Sequence, residues 1–117
     1  MSVSFDIDRS GGATIVQMHG EVDLDAADEV LEKLREAILD ESDQPVERVI
    51  VDLYDVSMLD STGVGALVAA YNVATEQGVK LVVINARGIV QRVLRIAGVL
   101  EILTSTTPHR GRPRRRS

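Results

Sequence analysis

Apolar and polar positions alternate at the start of this chain, and further along the apolar ones recur in threes and fours or close up into short runs. Val3 to Asp8 alternates strictly and Ala13 to His19 more loosely, on either side of Ser10-Gly11-Gly12, which predicts a β-hairpin. From Leu24 onward, Ala27, Leu31, Leu34 and Ile38 recur among charged neighbours, so an amphipathic helix is expected with Asp23 as its N-cap. Beyond the polar stretch from Asp40 to Pro45, the nearly unbroken β-branched run from Arg48 to Leu53 predicts a central strand covered on both faces. Tyr54 to Asp60 reads as a loop. Ser61-Thr62-Gly63 then opens a second helix with Val64, Leu67, Val68 and Tyr71 on its inner side, closed by Gly78. Lys80 to Asn85 repeats the buried-strand pattern. Ile89, Val90, Val93, Leu94 and Ala97 mark a third helix ended by Gly98, and Leu100 to Leu103 is expected to be an edge strand. The order β-β-α-β-α-β-α-β makes this an α/β domain: a mixed sheet of four to five strands, with helical crossovers packed on its faces.

A chain of 117 residues, 44% of them hydrophobic and 26% charged, suits one domain, taken as residues 1–103. Residues 104–117 hold five Arg, two Pro and no aliphatic side chain, and are expected to form a disordered Arg-rich tail. The absence of Cys excludes disulfides, a thiol nucleophile and cysteine-zinc sites. Only two His are present: His19, expected to be structural, and His109, which falls in the tail. That leaves no base for a Ser61 nucleophile, so neither an enzyme nor a catalytic residue is expected. Glu21, Asp23 and Asp25 read as acids placed for helix capping and not as a metal cluster, and neither metal nor cofactor is expected.

The longest apolar run, Val64 to Tyr71, falls far short of the roughly 20 residues that span a bilayer. The polar N-terminus has no signal-peptide pattern, so a cytoplasmic location is expected. All 18 acidic residues precede Pro108, which leaves the body at −10 and the tail at +5. An acidic body repels nucleic acid and anionic membrane alike, and Phe5, Tyr54 and Tyr71 are too few for base stacking. Neither partner is expected, and the chain is taken as a monomer.

The most informative hydroxyl is Ser61, directly after an acid at the predicted strand-to-helix turn. A helix N-terminus carries unpaired N–H groups and partial positive charge, so a Ser there can cap the helix and a phosphate there is tolerated. Both a plain cap and a modification site are open at this point. Gly63 and Gly65 permit close backbone approach to a partner or to a neighbouring strand. Gly63-Val64-Gly65 lacks the third glycine of a dinucleotide loop, and no Walker-type Lys follows it.

Asp60-Ser61-Thr62-Gly63-Val64-Gly65, preceded by Ile50-Val51-Asp52-Leu53 and Met58, resembles the phosphorylation segment of bacterial anti-sigma factor antagonists of the STAS domain type. Gly20-Glu21-Val22-Asp23 is similar to the family's segment ahead of its first helix. Gly78 to Ile84 and Val93 to Val99 extend the likeness over about residues 3–103. The resemblance implies a STAS-like fold and a switch protein. The unphosphorylated antagonist binds an anti-sigma factor that is also a serine kinase and frees the sigma factor; the kinase phosphorylates the position of Ser61, and a serine phosphatase reverses this. The partner-binding residues it implies are Glu21, Asp23, Asp60, Ser61, Thr62, Gly63, Val64 and Gly65. Family members usually continue from the last strand into a C-terminal helix that covers the sheet, whereas this chain runs from Leu103 into its tail. The alternative is a non-switching STAS scaffold subunit of a lipid transporter or sensory assembly. Retention of Ser61 between Asp60 and Thr62 favours the switch.

Overall fold

Gly11, at φ +62°, lets the chain double back between β1 (Val3–Ser10) and β2 (Ala13–Val22), which pair antiparallel from Val3↔Gly20 to Ser10↔Ala13. The structure, a computed structural model, describes residues 3–41 and 44–105. After the hairpin come α1 (Leu24–Ile38), β3 (Arg48–Leu59), α2 (Ser61–Glu76), β4 (Lys80–Ile84), α3 (Gly88–Ile96) and α4 (Leu100–Thr104). The four strands lie in chain order in one mixed sheet, with β2–β3 and β3–β4 parallel. Parallel neighbours need a crossover, and α1 and α2 supply the two.

One core cluster holds Val16, Met18 and Val22 of β2, Val49, Val51 and Leu53 of β3, and Leu81 and Val83 of β4, together with side chains from all four helices. The sheet therefore buries one face. This corrects the expectation of a central strand covered on both sides: along the first half of β3 burial alternates, with Ile50 and Asp52 only half-buried on the other face. There a shallow groove of about 540 Å³ runs over Ile50, Val82 and Ile84 between Arg48 and Lys80. The β-branched run misleads because Ile50 and Val82 sit on that second face as well.

Two further expectations are corrected. Tyr54 to Leu59 is no loop but the second half of β3. Its pairing with β2 shifts between Gln17 and His19 and again between Gly20 and Glu21, and its buried residues, Leu53, Val56 and Leu59, fall three apart. Each bulge adds one residue to β3, so the alternation that marks a strand in sequence disappears. Leu100 to Leu103 is not an edge strand but most of α4, with Leu103 fully buried and the Thr104 hydroxyl donating to the Leu100 carbonyl at 2.7 Å. The sheet stops at four strands. Residues 106–117 of the expected tail lie outside the described residues.

α1 begins at Leu24 with Asp23 as N-cap, as expected, but its buried side is Ala26, Val30, Leu34, Ala37 and Ile38. Leu24 is 69% exposed. α2 ends as expected, Gly78 taking φ +73° just past it. β4 ends one residue early because Asn85 takes φ +62°; its side-chain Nδ2 donates to Asp52 Oδ1 at 3.0 Å. His19 ties three strands together, with Nε2 2.9 Å from Asp6 of β1 and Nδ1 3.0 Å from Asp55 of β3.

Candidate functional site

β2 and β3 end side by side. Val22 pairs with Leu59, and one residue later each strand turns into a helix, at Asp23 and at Asp60. The Asp60 amide donates to the Val22 carbonyl at 3.2 Å, which ties the two turns together. Gly63 makes that approach possible. A Cβ there would stand 2.6 Å from Leu59 Cδ1, 2.8 Å from Val22 Cγ1 and 2.9 Å from the Val22 carbonyl oxygen. Of the two readings of Gly63, the neighbouring strand accounts for it. Gly65 has nothing within 4 Å of its Cβ position and is exposed.

The N-cap of α2 is Asp60 and not Ser61. Asp60 Oδ1 accepts from the amides of Thr62 at 3.0 Å and Gly63 at 3.1 Å and from the Thr62 hydroxyl at 2.6 Å. These bonds, led by the Thr62 hydroxyl, hold the Asp60 carboxyl below its ordinary value. Ser61, the first helical residue, is exposed, and among the described residues its hydroxyl takes part in no hydrogen bond. Asp60 Oδ1 already takes the Thr62 and Gly63 amides, so these two are engaged by the cap and not by the exposed Ser61.

The residues singled out in the sequence separate by burial. Ser61 and Gly65 are exposed, Glu21, Asp23, Asp60 and Thr62 are partly exposed, and Gly63 and Val64 turn inward. Asp23 caps α1 through the Ala26 amide at 3.1 Å, the capping role expected of it. No group of three or more acids or histidines able to hold a metal is present among the described residues. At the same end the sequence pattern missed apolar side chains that face water: Leu24, 69% exposed in the first turn of α1, and Met58, which pairs with Glu21 and is 38% exposed. At 3.6 residues per turn Leu24 lies off the side of α1 marked by Ala26, Val30, Leu34 and Ala37.

A second polar cluster lies at the β3–β4 end. Asp52 accepts from Asn85, from the Tyr54 amide at 3.0 Å and from Gln17 at 3.4 Å. Partial burial raises its carboxyl, but these bonds and nearby His19 outweigh that and hold it below its ordinary value. Arg87 stacks on the Tyr54 ring with its guanidinium carbon 4.1 Å from the centroid and donates to the Tyr54 carbonyl.

The sequence matches the STAS domain family over residues 4–111. The protein is a STAS domain. A curated relative, the anti-sigma F factor antagonist of Paenibacillus polymyxa, is 25% identical over 103 residues, 88% of this chain and 86% of the relative. Among solved structures, an anti-sigma factor antagonist from Mycobacterium paratuberculosis superposes with a TM-score of 0.69 at 23% identity, covering 92% of this chain and 87% of that one. The phosphorylated form of the Bacillus cell fate determinant SpoIIAA gives 0.66 at 20% identity, covering 90% and 93%. At these identities the solved structures establish the STAS fold, a single α/β domain with a four-stranded mixed sheet and four helices. No helix among the described residues is long and apolar enough to cross a membrane.

Proposed function

We propose that this STAS domain is an anti-sigma factor antagonist whose unmodified form binds an anti-sigma factor with serine kinase activity, and that phosphorylation of Ser61 turns the binding off. A serine phosphatase restores the binding form. The observation that carries this reading is the exposed Ser61 hydroxyl, left without a capping role because Asp60 caps α2. The curated relative named as an anti-sigma F factor antagonist supports the class of partner.

The partner surface comprises Glu21, Asp23, Asp60, Ser61, Thr62 and Gly65, with exposed Leu24 and Met58 as apolar contacts beside them. Gly63 and Val64 act from beneath by holding the turn in shape. A phosphate on Ser61 adds about −1.5 to −2 charge at neutral pH next to the ionised Asp60. A partner packed there must desolvate the phosphate or withdraw, and a loss of about 3 kcal/mol weakens binding roughly a hundredfold. No change of fold is required. The protein works in the cytoplasm as a monomer, without catalysis or a cofactor of its own.

The test is phosphate transfer from the cognate serine kinase with the site mapped by mass spectrometry, followed by calorimetry of the complex. Ser61→Ala should bind and resist phosphorylation, whereas Ser61→Asp and Ser61→Glu should bind at least about tenfold more weakly. Tight binding by the acidic variants, or phosphate on Thr62, overturns the reading. A chain that binds no kinase and takes up no phosphate fits the non-switching scaffold instead.

A further inference from the structure

On the uncovered face of the sheet, β3 and β4 present a graded set of side chains. Arg48 pairs with Lys80, Ile50 with Val82 and Asp52 with Ile84, so the rows along the strands run from cationic through apolar to an acid beside an isoleucine. Four residues separate Lys80 from Ile84, which places the outer rows about 13 Å apart. Val82 is the deepest point of the groove between them. It is only 4% exposed although it lies outside the core cluster, so its cover comes from neighbours on the open face. The floor is therefore concave, with Ile84 at its far end still 36% exposed.

The charges around this floor are as graded as its shape. Arg48, which is exposed, and Lys80 stand side by side at one end, and with Glu47 at the rim the lining carries net +1 in a chain of net −5. Glu47 leans toward the β1–β2 hairpin: its carboxyl carbon is 2.9 Å from where a Cβ of Gly12 would stand, and its amide donates to the Gly12 carbonyl at 2.7 Å. Asp52 flanks the opposite end. Exposed charges more than about 8 Å away are largely screened at physiological ionic strength, so a ligand here meets these groups and not the acidic average of the chain.

We propose that this groove binds a free amphipathic anion, a medium-chain carboxylate whose head pairs with Arg48 and Lys80 and whose chain lies over Ile50, Val82 and Ile84. A guanidinium offers a carboxylate two parallel donors, and the distance between the outer rows is about the extended length of decanoate. The groove volume of about 540 Å³ falls within the range of small-molecule sites. Asp52 repels an anionic head at the far end, which gives the ligand one orientation. A protein partner fits less well, because the floor is narrow and no aromatic side chain lines it. A second copy fits less well too, since two concave floors placed face to face leave the middle unfilled. The site lies at the start of β3, whereas Ser61 follows its end, so the proposal does not rest on the switch.

Titration of the full chain with decanoate, kept below its micelle-forming concentration and followed by the amide resonances, tests this. Saturable shifts should centre on residues 48–52 and 80–84, and neither acetate nor decyltrimethylammonium should produce them. Arg48→Gln with Lys80→Gln should weaken binding roughly tenfold or more, the loss of a charge-assisted hydrogen bond. Ala13→Met, which fills the groove and keeps both cations, should weaken it by a similar factor. The dispersion of the same spectra shows whether each variant is folded, and exposed Arg48→Gln alone gives a variant that removes no buried group. The proposal is overturned by the absence of saturable shifts, by an equal response to the cationic amphiphile, or by undiminished binding in the folded variants. Shifts centred on exposed Ile89 and Ile96 of α3 overturn it as well. If the groove resonances move with protein concentration and not with decanoate, a second copy occupies the face and the carboxylate proposal is wrong.

Discussion

Two glycines two residues apart, Gly63 and Gly65, do opposite things. Gly63 has no room for a Cβ, because the atoms it would meet are the Val22 backbone and two core side chains. Gly63→Ala should therefore destabilise by about 1–3 kcal/mol in urea unfolding, the usual cost of overpacking. Gly65 has open space around it in the second turn of the same helix, so Gly65→Ala should stabilise by about 0.5–1 kcal/mol by removing chain entropy from the unfolded state. If the proposed anti-sigma partner packs against that exposed turn, the same change should weaken the complex while strengthening the fold. Asp60 adds a pH signature. Its folded-state value is lowered, so its contribution is complete above the ordinary carboxylate value and is lost as pH falls through the folded one. Asp60→Asn keeps a capping side chain but not the charge. Its urea midpoint should lie below that of the parent at neutral pH, and the two should converge in acid.

At the scale of elements, sequence periodicity found every helix and strand whose inner side kept one period throughout. It failed where the period changed. β3 reads as a strand only to Leu53 because two bulges space its later core residues, Val56 and Leu59, three apart. α4 reads as a strand because five residues are too few to tell a helical turn from a short apolar run, and what distinguishes them is Leu103 reaching the shared core. Leu103→Ala should cost about 2–5 kcal/mol, the range for a fully buried leucine, whereas a leucine on an open edge strand would cost far less. Chemical denaturation separates the two outcomes. Placement of α1 was legible and so were Leu34 and Ile38 on its inner side, but the side centres on Ala26, Val30 and Ala37 and leaves Leu24 in water.

Over the whole molecule, charge and apolar burial are separable. The segment beyond Ser105 contains no aliphatic residue, so removing it takes away no comparable apolar burial while shifting net charge from −5 toward −10. Truncation after Ser105 should leave the melting temperature within about 2 °C of the parent, because a ΔΔG well under 1 kcal/mol is all that such a loss involves. A larger drop in a thermal melt would mean that the segment packs on the domain. The amino-acid sequence by itself determined the α/β class, the hairpin, the two parallel crossovers and the STAS segment around Ser61, because these rest on local periodicity, turn residues and a contiguous motif. Tertiary structure decided which side of α1 is inside, that the sheet stops at four strands with one face uncovered, and that Asp60 and not Ser61 caps α2. The physical reason is that each of these depends on contacts between residues far apart in the chain. The close approach of Val22 to Gly63 joins the two turns of the site, and no pattern within either segment contains it.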